Sequence, residues 1–282
     1  MKEKKNQKMK KVEGKMLNII VSGAAGRMGS RIITLSREYE NIKLVGAVEH
    51  KEHKGIGLDG GELIGIGKLG ILLSHDLNAI KEKTDVIIEF SNPEASIEHL
   101  KIASQKGISM VIGTTGFSRE QTEEIKIHTS KIPCVLAPNM SVGVNLLLRI
   151  LVDIASVLGD DYDVEIIEAH HRLKKDAPSG TAMKMAQVIA SALKRNLEDT
   201  AVYARKGLIG ERTKKEIGIQ TIRAGDIVGE HTVLFGGLGE RIEVTHRASS
   251  RDTFARGALK AALWVSKQAP RLYDMQDVLG LK

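Results

Sequence analysis

The chain has 282 residues, 42% of them hydrophobic and 27% charged, which suits two domains with cores of ordinary size. Its single cysteine, Cys134, excludes an internal disulfide and any metal site that requires several cysteines. Aromatic residues make up only 3% of the chain, which argues against a base-stacking surface for nucleic acid, and no uninterrupted apolar run approaches the ~20 residues of a membrane helix. We therefore expect neither a nucleic-acid partner nor a membrane partner.

The net charge of +7 is concentrated at the start of the chain. Residues 1–15 hold seven lysines and two glutamates, a net +5, so the remaining 267 residues carry +2. We interpret residues 1–15 as a basic, disordered tail, or as an extension that is present because translation starts upstream of Met9 or Met16. The alternative is a segment that tethers the protein to RNA or to a membrane surface. The tail lacks the apolar segment of a secretory signal, which favours a cytoplasmic protein.

From residue 17 to residue 140, short apolar strands alternate with helices. The predicted strands are rich in β-branched residues, as in a buried parallel sheet, and cover residues 17–21, 44–48, 85–90, 109–112 and 133–137. Helices are predicted over 27–36, from about Pro93, and over 118–129. This alternation predicts the α/β class, with a Rossmann-type doubly wound parallel sheet.

After Asn139 the pattern changes. Helices are predicted over 144–158 and from about 181, with a strand over 164–168 and several short strands in 201–250. This order predicts a smaller α+β domain with a mixed or antiparallel sheet. A final amphipathic helix, over about 252–267, is predicted to pack on the first domain, so we assign residues 16–140 and 252–282 to the first domain and 141–251 to the second.

A glycine motif follows the first predicted strand and precedes a helix, with the pattern GxxGxxG. In that position glycines let the backbone approach a pyrophosphate at the helix N-terminus. Glu49 ends the next strand, twenty residues after Gly29, where an acid would bind the hydroxyls of an adenosine ribose. The alternative is a tight turn with an incidental surface glutamate. The motif consists of Gly23, Ala24, Ala25, Gly26, Arg27, Met28 and Gly29.

Two further polar segments follow predicted strands. One is the run from Gly113 to Gly116, and the other is the run from Pro138 to Ser141. Both would lie at the carboxyl edge of a parallel sheet, where ligands bind, although each is equally compatible with a simple turn. The glycine-rich stretch from Gly55 to Gly70 lacks a strand–helix frame, and we interpret it as a loop.

Residues 168–176 read Glu-Ala-His-His-Arg-Leu-Lys-Lys-Asp and follow a hydrophobic strand. Five basic side chains in this segment favour a site for an anion such as a carboxylate, and histidine also exchanges protons near neutral pH. The two neighbouring histidines have no paired acids or cysteines beside them, so the segment favours an anion site over a metal site. We therefore expect no metal. A solvated basic loop is the alternative.

Pro178, Ser179, Gly180 and Thr181 open the next predicted helix. Ser179 or Thr181 can cap this helix, and its first free N–H groups offer a second anion site. Capping alone would explain the motif, but its position beside the basic loop favours a ligand with two carboxylates. We interpret His231, His246 and Arg247 as structural or interfacial, and Cys134 as a buried, inert thiol.

Four segments, in this order, resemble the 4-hydroxy-tetrahydrodipicolinate reductase family, also called dihydrodipicolinate reductases. They are Gly-Ala-Ala-Gly-Arg-Met-Gly (23–29), Val-Ile-Gly-Thr-Thr-Gly-Phe (111–117), Glu-Ala-His-His-Arg-x-Lys-x-Asp-Ala-Pro-Ser-Gly-Thr-Ala (168–182) and Arg-Ala-Gly-Asp-Ile-Val-Gly-Glu-His-Thr (223–232). The resemblance extends over about residues 17–282. It implies an NAD(P)H-binding domain, a second domain that binds substrate and joins a homotetramer, and hydride delivery to C4 of the ring with loss of the 4-hydroxyl as water.

The resemblance also implies roles for individual residues. His170 takes the acid/base position and Lys174 that of the proton donor. The substrate carboxylates would be held by His171, Lys174, Ser179, Gly180 and Thr181. The residues from Gly23 to Gly29 would bind the pyrophosphate. Glu49, together with His50, would bind the ribose. The residues near the nicotinamide would be Gly113, Thr114, Thr115, Ala137, Pro138, Asn139 and Met140.

Two positions depart from the pattern of that family. His50 and Lys51 follow the ribose acid where arginine is common, and Asn92 stands where some members carry arginine. The resemblance therefore leaves the choice between NADH and NADPH open. The alternatives to this function are another Rossmann reductase of small dicarboxylates, such as an amino-acid dehydrogenase, and a nucleotide-sensing regulator.

Overall fold

The structure, a computed structural model, describes residues 15–282. The interpretation of the basic tail therefore lies outside the described residues, apart from Lys15. The described chain forms two sheets, one of seven strands and one of five strands.

The described part of the chain contains twelve strands and nine α-helices, besides two short 3-10 helices. The strands are β1 (Leu17–Ser22), β2 (Ile42–Val48), β3 (Leu73–Ser74), β4 (Val86–Glu89), β5 (Ser109–Ile112), β6 (Pro133–Leu136), β7 (Asp163–His170), β8 (Ala201–Val202), β9 (Ile217–Arg223), β10 (Gly229–Gly236), β11 (Arg241–Ala248) and β12 (Arg271–Tyr273). The helices are α1 (Gly29–Ser36), α2 (Gly60–Leu63), α3 (Pro93–Lys106), α4 (Arg119–Thr129), α5 (Val142–Leu158), α6 (Gly180–Ala192), α7 (Leu197–Thr200), α8 (Asp252–Val265) and α9 (Met275–Leu279).

The seven-stranded sheet is entirely parallel, in the order β12-β6-β5-β4-β1-β2-β3. Successive side chains of β1 enter different cores: Ile19 and Val21 pack in the core with α1 and α8, and Ile20 packs in the core with α3 and α4. Helices on both faces confirm the predicted doubly wound, Rossmann-type fold. Because β1 lies between β2 and β4, the chain reverses direction across the sheet at β1, and ligands of such sheets bind at this reversal.

The C-terminal segment completes the first sheet. Helix α8 packs against α1, and Arg31 donates to both carboxylate oxygens of Asp252 at 2.7 and 2.9 Å. This confirms that the final helix returns to the first sheet. The strand β12, which pairs with β6, was not predicted, because three residues are too few to show a strand period.

The five-stranded sheet has mixed directions and the order β11-β10-β7-β9-β8. Helices α5 and α6 cover one face, where Val164, Ile166, Val233 and Phe235 are buried. Among residues 15–282 no helix covers the other face, which carries Ile167 and Ile222 with more than a third of each side chain exposed. The mixed sheet was predicted, and its uncovered face is a surface suited to a partner.

Helix α5 is long and apolar enough to be compared with a membrane helix. The segment Val142–Asp161 is long and apolar enough to cross a membrane by length and composition alone, although Arg149 and Asp153 interrupt it. In the structure Leu147, Leu151 and Ala155 pack in the core of the second sheet. No uninterrupted apolar run in α5 reaches ~20 residues, as the sequence predicted, and the expectation of no membrane partner stays a prediction.

Candidate active site

The glycine motif forms the turn from β1 into α1, at the reversal of the parallel sheet. Gly23 has φ +69°, a left-handed conformation, and a Cβ on Gly29 would lie 2.1 Å from the Gly23 carbonyl oxygen. Side chains at these two positions would therefore open the turn. Gly26 and Arg27 are exposed at its outer edge, so the backbone is accessible to a phosphate there.

Glu49 lies beside this turn, as the sequence predicts. Its Oε2 accepts a hydrogen bond from the Ala25 N–H at 3.0 Å, and its Oε1 accepts one from the His50 N–H at 3.0 Å. The two backbone donors fix the carboxylate, and each oxygen keeps a lone pair for a ribose hydroxyl. The turn and the fixed acid together fit the adenosine diphosphate part of a dinucleotide.

A buried Glu–His pair lies at the end of β4, next to the glycine turn. His99 Nδ1 is 2.6 Å from Glu89 Oε2, and the Glu89 side chain is 0% exposed. Burial lowers the pKa of His99. Glu89, through its hydrogen bond and its charge, and Glu98, through its charge, raise it by more, so the pKa lies above its usual value. Sequence analysis missed this pair because Glu89 reads as part of an ordinary buried strand.

Asn92, one of the two departures from the family pattern, begins α3. Its side-chain oxygen accepts a hydrogen bond from the Ala95 N–H at 2.9 Å and so caps the helix. Phe90, two residues earlier, packs between the glycine turn and β5: a Cβ on Gly113 would lie 2.2 Å from its ring. Glycine is thus required at position 113.

The two polar segments after β5 and β6 meet at one edge of the sheet. Thr115, Ala137, Pro138 and Asn139 line a cleft of about 840 Å³ that opens towards the second sheet. Gly113, Thr114 and Met140 do not line it, and Met140 is buried. The sequence left a ligand edge and simple turns equally open, and this convergence favours the ligand edge, which stays a prediction.

The second sheet contributes the opposite wall of the same cleft, with His170, Lys174, Ser179, Gly180 and Thr181. Asn139 Nδ2 donates to Thr181 Oγ1 at 3.0 Å and joins the two walls directly. His171 does not line this cleft. The sequence motifs that were separated by forty residues thus share one cavity.

His170, at the end of β7, is paired with a buried carboxylate. Its Nδ1 is 2.6 Å from Glu168 Oε2, and the histidine side chain is 11% exposed. Burial lowers the pKa of His170; Glu168 raises it in part, and the charges of Lys174 and Arg223 lower it further, so it lies below its usual value. This ring is therefore poised to exchange protons in the neutral form.

Lys174 extends into the cleft and pairs with Asp176, both carboxylate oxygens lying 2.9 Å from Nζ. The neighbouring Arg172, Leu173 and Lys175 are exposed. Of the five basic side chains of the loop, only Lys174 and His170 line the cleft, so the other three do not contribute to an anion site there.

Ser179 begins α6 and accepts a hydrogen bond from the Ala182 N–H at 3.1 Å, as a capping residue does. Its hydroxyl also lies 2.9 Å from His231 Nε2. The protein therefore uses the Ser179 hydroxyl for its own contacts. Gly180 and Thr181 remain as the residues of this turn that offer the first N–H groups of α6 and a second hydroxyl to an anion.

His231 is closer to the site than its sequence position indicates. Its ring packs edge-on against His170, with 5.2 Å between the centroids, and only 4% of the residue is exposed. Burial and the charge of His170 lower the pKa of His231 to about 4. The interpretation of His231 as structural agrees with its neutral, buried state, but it missed the contacts to His170 and Ser179.

Comparison with known proteins agrees with this arrangement. Residues 17–140 match the family described as dihydrodipicolinate reductase, N-terminus, and residues 143–279 match its C-terminus. A 4-hydroxy-tetrahydrodipicolinate reductase of Syntrophus aciditrophicus (strain SB) is 58% identical over 267 residues, 95% of this chain and 100% of the relative. The protein of the same name from Syntrophobacter fumaroxidans (strain DSM 10017 / MPOB) is 57% identical with the same coverage.

Among solved structures, a dipicolinate-bound dihydrodipicolinate reductase from Paenisporosarcina sp. TG-14 matches with a TM-score of 0.71 and 27% identity over 93% of this chain and 98% of that chain. GenD2 from gentamicin A biosynthesis, in complex with NAD, matches with a TM-score of 0.60 and 12% identity over 95% and 91%, which bears on the fold alone. Both parts of the sequence are thus matched, and relatives are more than half identical over nearly its whole length. The chain belongs to the dihydrodipicolinate reductase family.

Proposed function

We propose that this chain catalyses the NAD(P)H-dependent reduction of 4-hydroxy-tetrahydrodipicolinate to tetrahydrodipicolinate and water, in the biosynthesis of diaminopimelate and lysine. The observation that carries the proposal is the shared cleft: the ends of β5 and β6 face His170, Lys174 and the start of α6 across one cavity. The names of relatives 58% and 57% identical to this chain support the same reaction.

The cofactor residues are those of the glycine turn, with Glu49 and His50 at the ribose and the segments after β5 and β6 at the nicotinamide. Bound NAD(P)H supplies the hydride that reduces C4. The fixed carboxylate of Glu49 accepts ribose hydroxyls, and the exposed turn accepts the pyrophosphate at the N-terminus of α1. Gly113, Thr114 and Met140 do not line the cleft, and their place near the nicotinamide stays a prediction.

The substrate is a dicarboxylate, and the site offers two separate anion positions. Gly180 and Thr181 at the start of α6 hold one carboxylate, and Lys174, with His171 as a further candidate, holds the other. Lys174 donates the proton with which the 4-hydroxyl leaves as water, and His170 serves as an acid/base group through Nε2. The reaction as a whole consumes one hydride and one proton and releases one water.

The same proposal extends to the assembly and its location. We assign residues 16–140 and 252–282 to cofactor binding and 141–251 to substrate binding and oligomerisation. The uncovered face of the second sheet, with Ile167 and Ile222, is the surface on which a homotetramer would form. A cytoplasmic location, without nucleic-acid or membrane partners, completes the proposal.

A coupled assay tests the function. The purified chain is mixed with the fresh product of dihydrodipicolinate synthase, and oxidation of NADH and of NADPH is followed separately at 340 nm. We expect oxidation to depend on both the chain and the synthase product. Oxidation of neither cofactor by the folded chain would contradict the proposal, and reduction of NAD+ or NADP+ by an amino acid instead would favour the amino-acid dehydrogenase alternative.

A further inference from the structure

Glu168 is fully buried on β7, and its carboxylate accepts hydrogen bonds from four residues. Oε1 accepts from the Ser179 N–H at 3.0 Å and from the Thr221 hydroxyl at 3.3 Å, and Oε2 faces His170 Nδ1 at 2.6 Å. Arg223 donates to both oxygens, each at 2.8 Å. Because an ionised carboxylate has about four acceptor directions, Glu168 keeps none for substrate.

We propose that Glu168, held by Arg223, is a positioning residue that fixes the tautomer of His170 and the start of α6 in one geometry. The inference rests on the proposed function, since it assigns His170 and the α6 turn to the same reaction. It adds Glu168 and Arg223 to the machinery as groups that act through other residues and do not contact the substrate.

The tautomer follows from the hydrogen bond. An ionised carboxylate only accepts, so Nδ1 of His170 carries the hydrogen and the neutral ring has its lone pair on Nε2. A Cβ on Gly229 would lie 3.0 Å from that Nε2. Glycine at position 229 therefore keeps the space next to the proton-exchanging nitrogen free of a side chain.

Arg223 connects this pair to the loop that carries Lys174. One amino group donates to the carbonyl oxygen of Asp176 at 2.6 Å, and the carboxylate of Asp176 holds Lys174 Nζ at 2.9 Å. The parallel register places Arg223 directly opposite His170 on β9. One guanidinium thus secures both groups to which the reaction assigns protons.

A purely stabilising role is a weak explanation for this pair. Removing two charges from water costs about as much as their attraction returns, and apolar residues of similar volume often stabilise a core more. The bidentate geometry of arginine and carboxylate adds directional specificity instead. A histidine and a helix N-terminus that act on one substrate must both be held in a fixed orientation.

The charged groups around His170 determine the direction in which its pKa should change in the test. The groups that face it are Glu168 on β7, Lys174 in the following loop, Arg223 on β9 and His231 on β10. Glu168 is the group among them that raises the pKa of His170, while Lys174 and Arg223 lower it. Neutralising Glu168 therefore lowers the pKa of His170 further and shifts the acid limb of the pH profile to lower pH.

The test is Glu168→Gln, because glutamine has one oxygen where the wild-type side chain uses two. Its NH2 group faces either the Ser179 N–H, where two donors meet without an acceptor, or His170 Nδ1, where a donor inverts the tautomer. We expect kcat to fall at least tenfold, towards the ~10⁴-fold loss seen when asparagine replaces the orienting aspartate of a Ser–His–Asp triad. The acid limb of kcat/KM should move to lower pH, while KM for the dicarboxylate changes much less than kcat.

Glu89→Gln is the matched control, since Glu89 pairs with His99 at the same 2.6 Å distance in the other sheet. This variant should leave the acid limb where it is. A folded Glu168→Gln protein with unchanged kcat and an unchanged acid limb overturns the proposal. If that variant does not fold, Arg223→Lys, which keeps the charge and loses the fork, should lower kcat in the same way, and unchanged kcat there overturns it.

A second measurement does not depend on turnover. In the ¹⁵N spectrum of wild-type His170, near pH 8 and with dipicolinate as the probe ligand, we expect a protonated Nδ1 and an unprotonated Nε2. The opposite tautomer would overturn the proposal. If the wild-type chain does not reduce the synthase product, the proposed function fails by itself, and the tautomer still decides whether Glu168 positions His170.

Discussion

Each of the two sheets buries a glutamate against a histidine, and the two pairs have the same geometry. In both, Nδ1 lies 2.6 Å from Oε2, the glutamate is 0% exposed, and the histidine side chains are 12% and 11% exposed. Yet the pKa of His99 is raised and that of His170 is lowered. In both pairs burial lowers the pKa of the histidine and the paired glutamate raises it, so the difference between the two pKa shifts comes from the other neighbours.

Those neighbours have opposite charges. Glu98 adds a negative charge near His99, whereas Lys174 and Arg223 add positive charges near His170, and Arg223 also shares the carboxylate of Glu168. The first pair therefore favours the ionised form and acts as an internal salt bridge. The second keeps its ring neutral and its Nε2 able to accept a proton. The cations around Glu168 and His170 thus distinguish a pair that we propose exchanges protons from one that is structural.

The largest expected effect follows from removing one of those cations. Lys174→Met keeps most of the length of the side chain and loses the charge and the proton, and we expect kcat to fall by ~10²–10⁴-fold, the usual range for a lost general acid. The pKa of His170 should rise, because Lys174 lowers it. Steady-state kinetics with the synthase product measure the first change, and NMR titration of His170 measures the second.

Lys131→Met is the control, since Lys131 is an exposed lysine that follows α4, outside the cleft. It should change neither value. If Lys174→Met had wild-type turnover, the loop would have no part in the mechanism, and the two Glu–His pairs would not differ in function.

The next effect concerns stability in the first pair. His99→Gln leaves Glu89 buried with the Ser91 contacts only, and unpaired buried charges typically cost ~3–5 kcal/mol of unfolding free energy. Because the pKa of His99 is raised in the folded state, its contribution is complete below the unfolded value of about 6.5. It is lost as the pH rises through the folded pKa.

Urea denaturation of wild type and His99→Gln at pH 6 and pH 9 measures that contribution. The difference in unfolding free energy should be larger at pH 6. A difference that is larger at pH 9 would show that His99 is neutral in the folded protein, and the contrast with His170 would disappear.

His231 sharpens the comparison because it is a buried histidine without a carboxylate partner. Its pKa is about 4 in the folded state and about 6.5 when unfolded, so its stabilising contribution is complete above pH 6.5 and is lost as the pH falls towards 4. The gap corresponds to about 3 kcal/mol. His231→Gln should reduce the loss of unfolding free energy between pH 7 and pH 4 by about that amount, measured by urea denaturation; an unchanged loss would show that His231 does not titrate there.

The sequence predicted the elements whose patterns are local. The strands of the parallel sheet are apolar β-branched runs, and the site loops follow them directly, so the glycine turn, Glu49, Asn139, His170 and Lys174 could be placed without coordinates. The two-residue β3 and three-residue β12 show no period and were missed. Arg223 and His231 were missed because their roles depend on the register of β9 and β10 against β7, which no local pattern encodes.

The smallest expected effect concerns a third glutamate and histidine, Glu49 and His50, which lie at the surface. Glu49 should favour NADH by accepting both ribose hydroxyls and repelling a 2′-phosphate, while His50 and Lys51 offset the repulsion without the fork of an arginine. His50→Ala should therefore lower the NADPH/NADH ratio of kcat/KM, measured with the synthase product and each cofactor in turn. A strong NADPH preference that persists in His50→Ala would assign the phosphate to Lys51 instead.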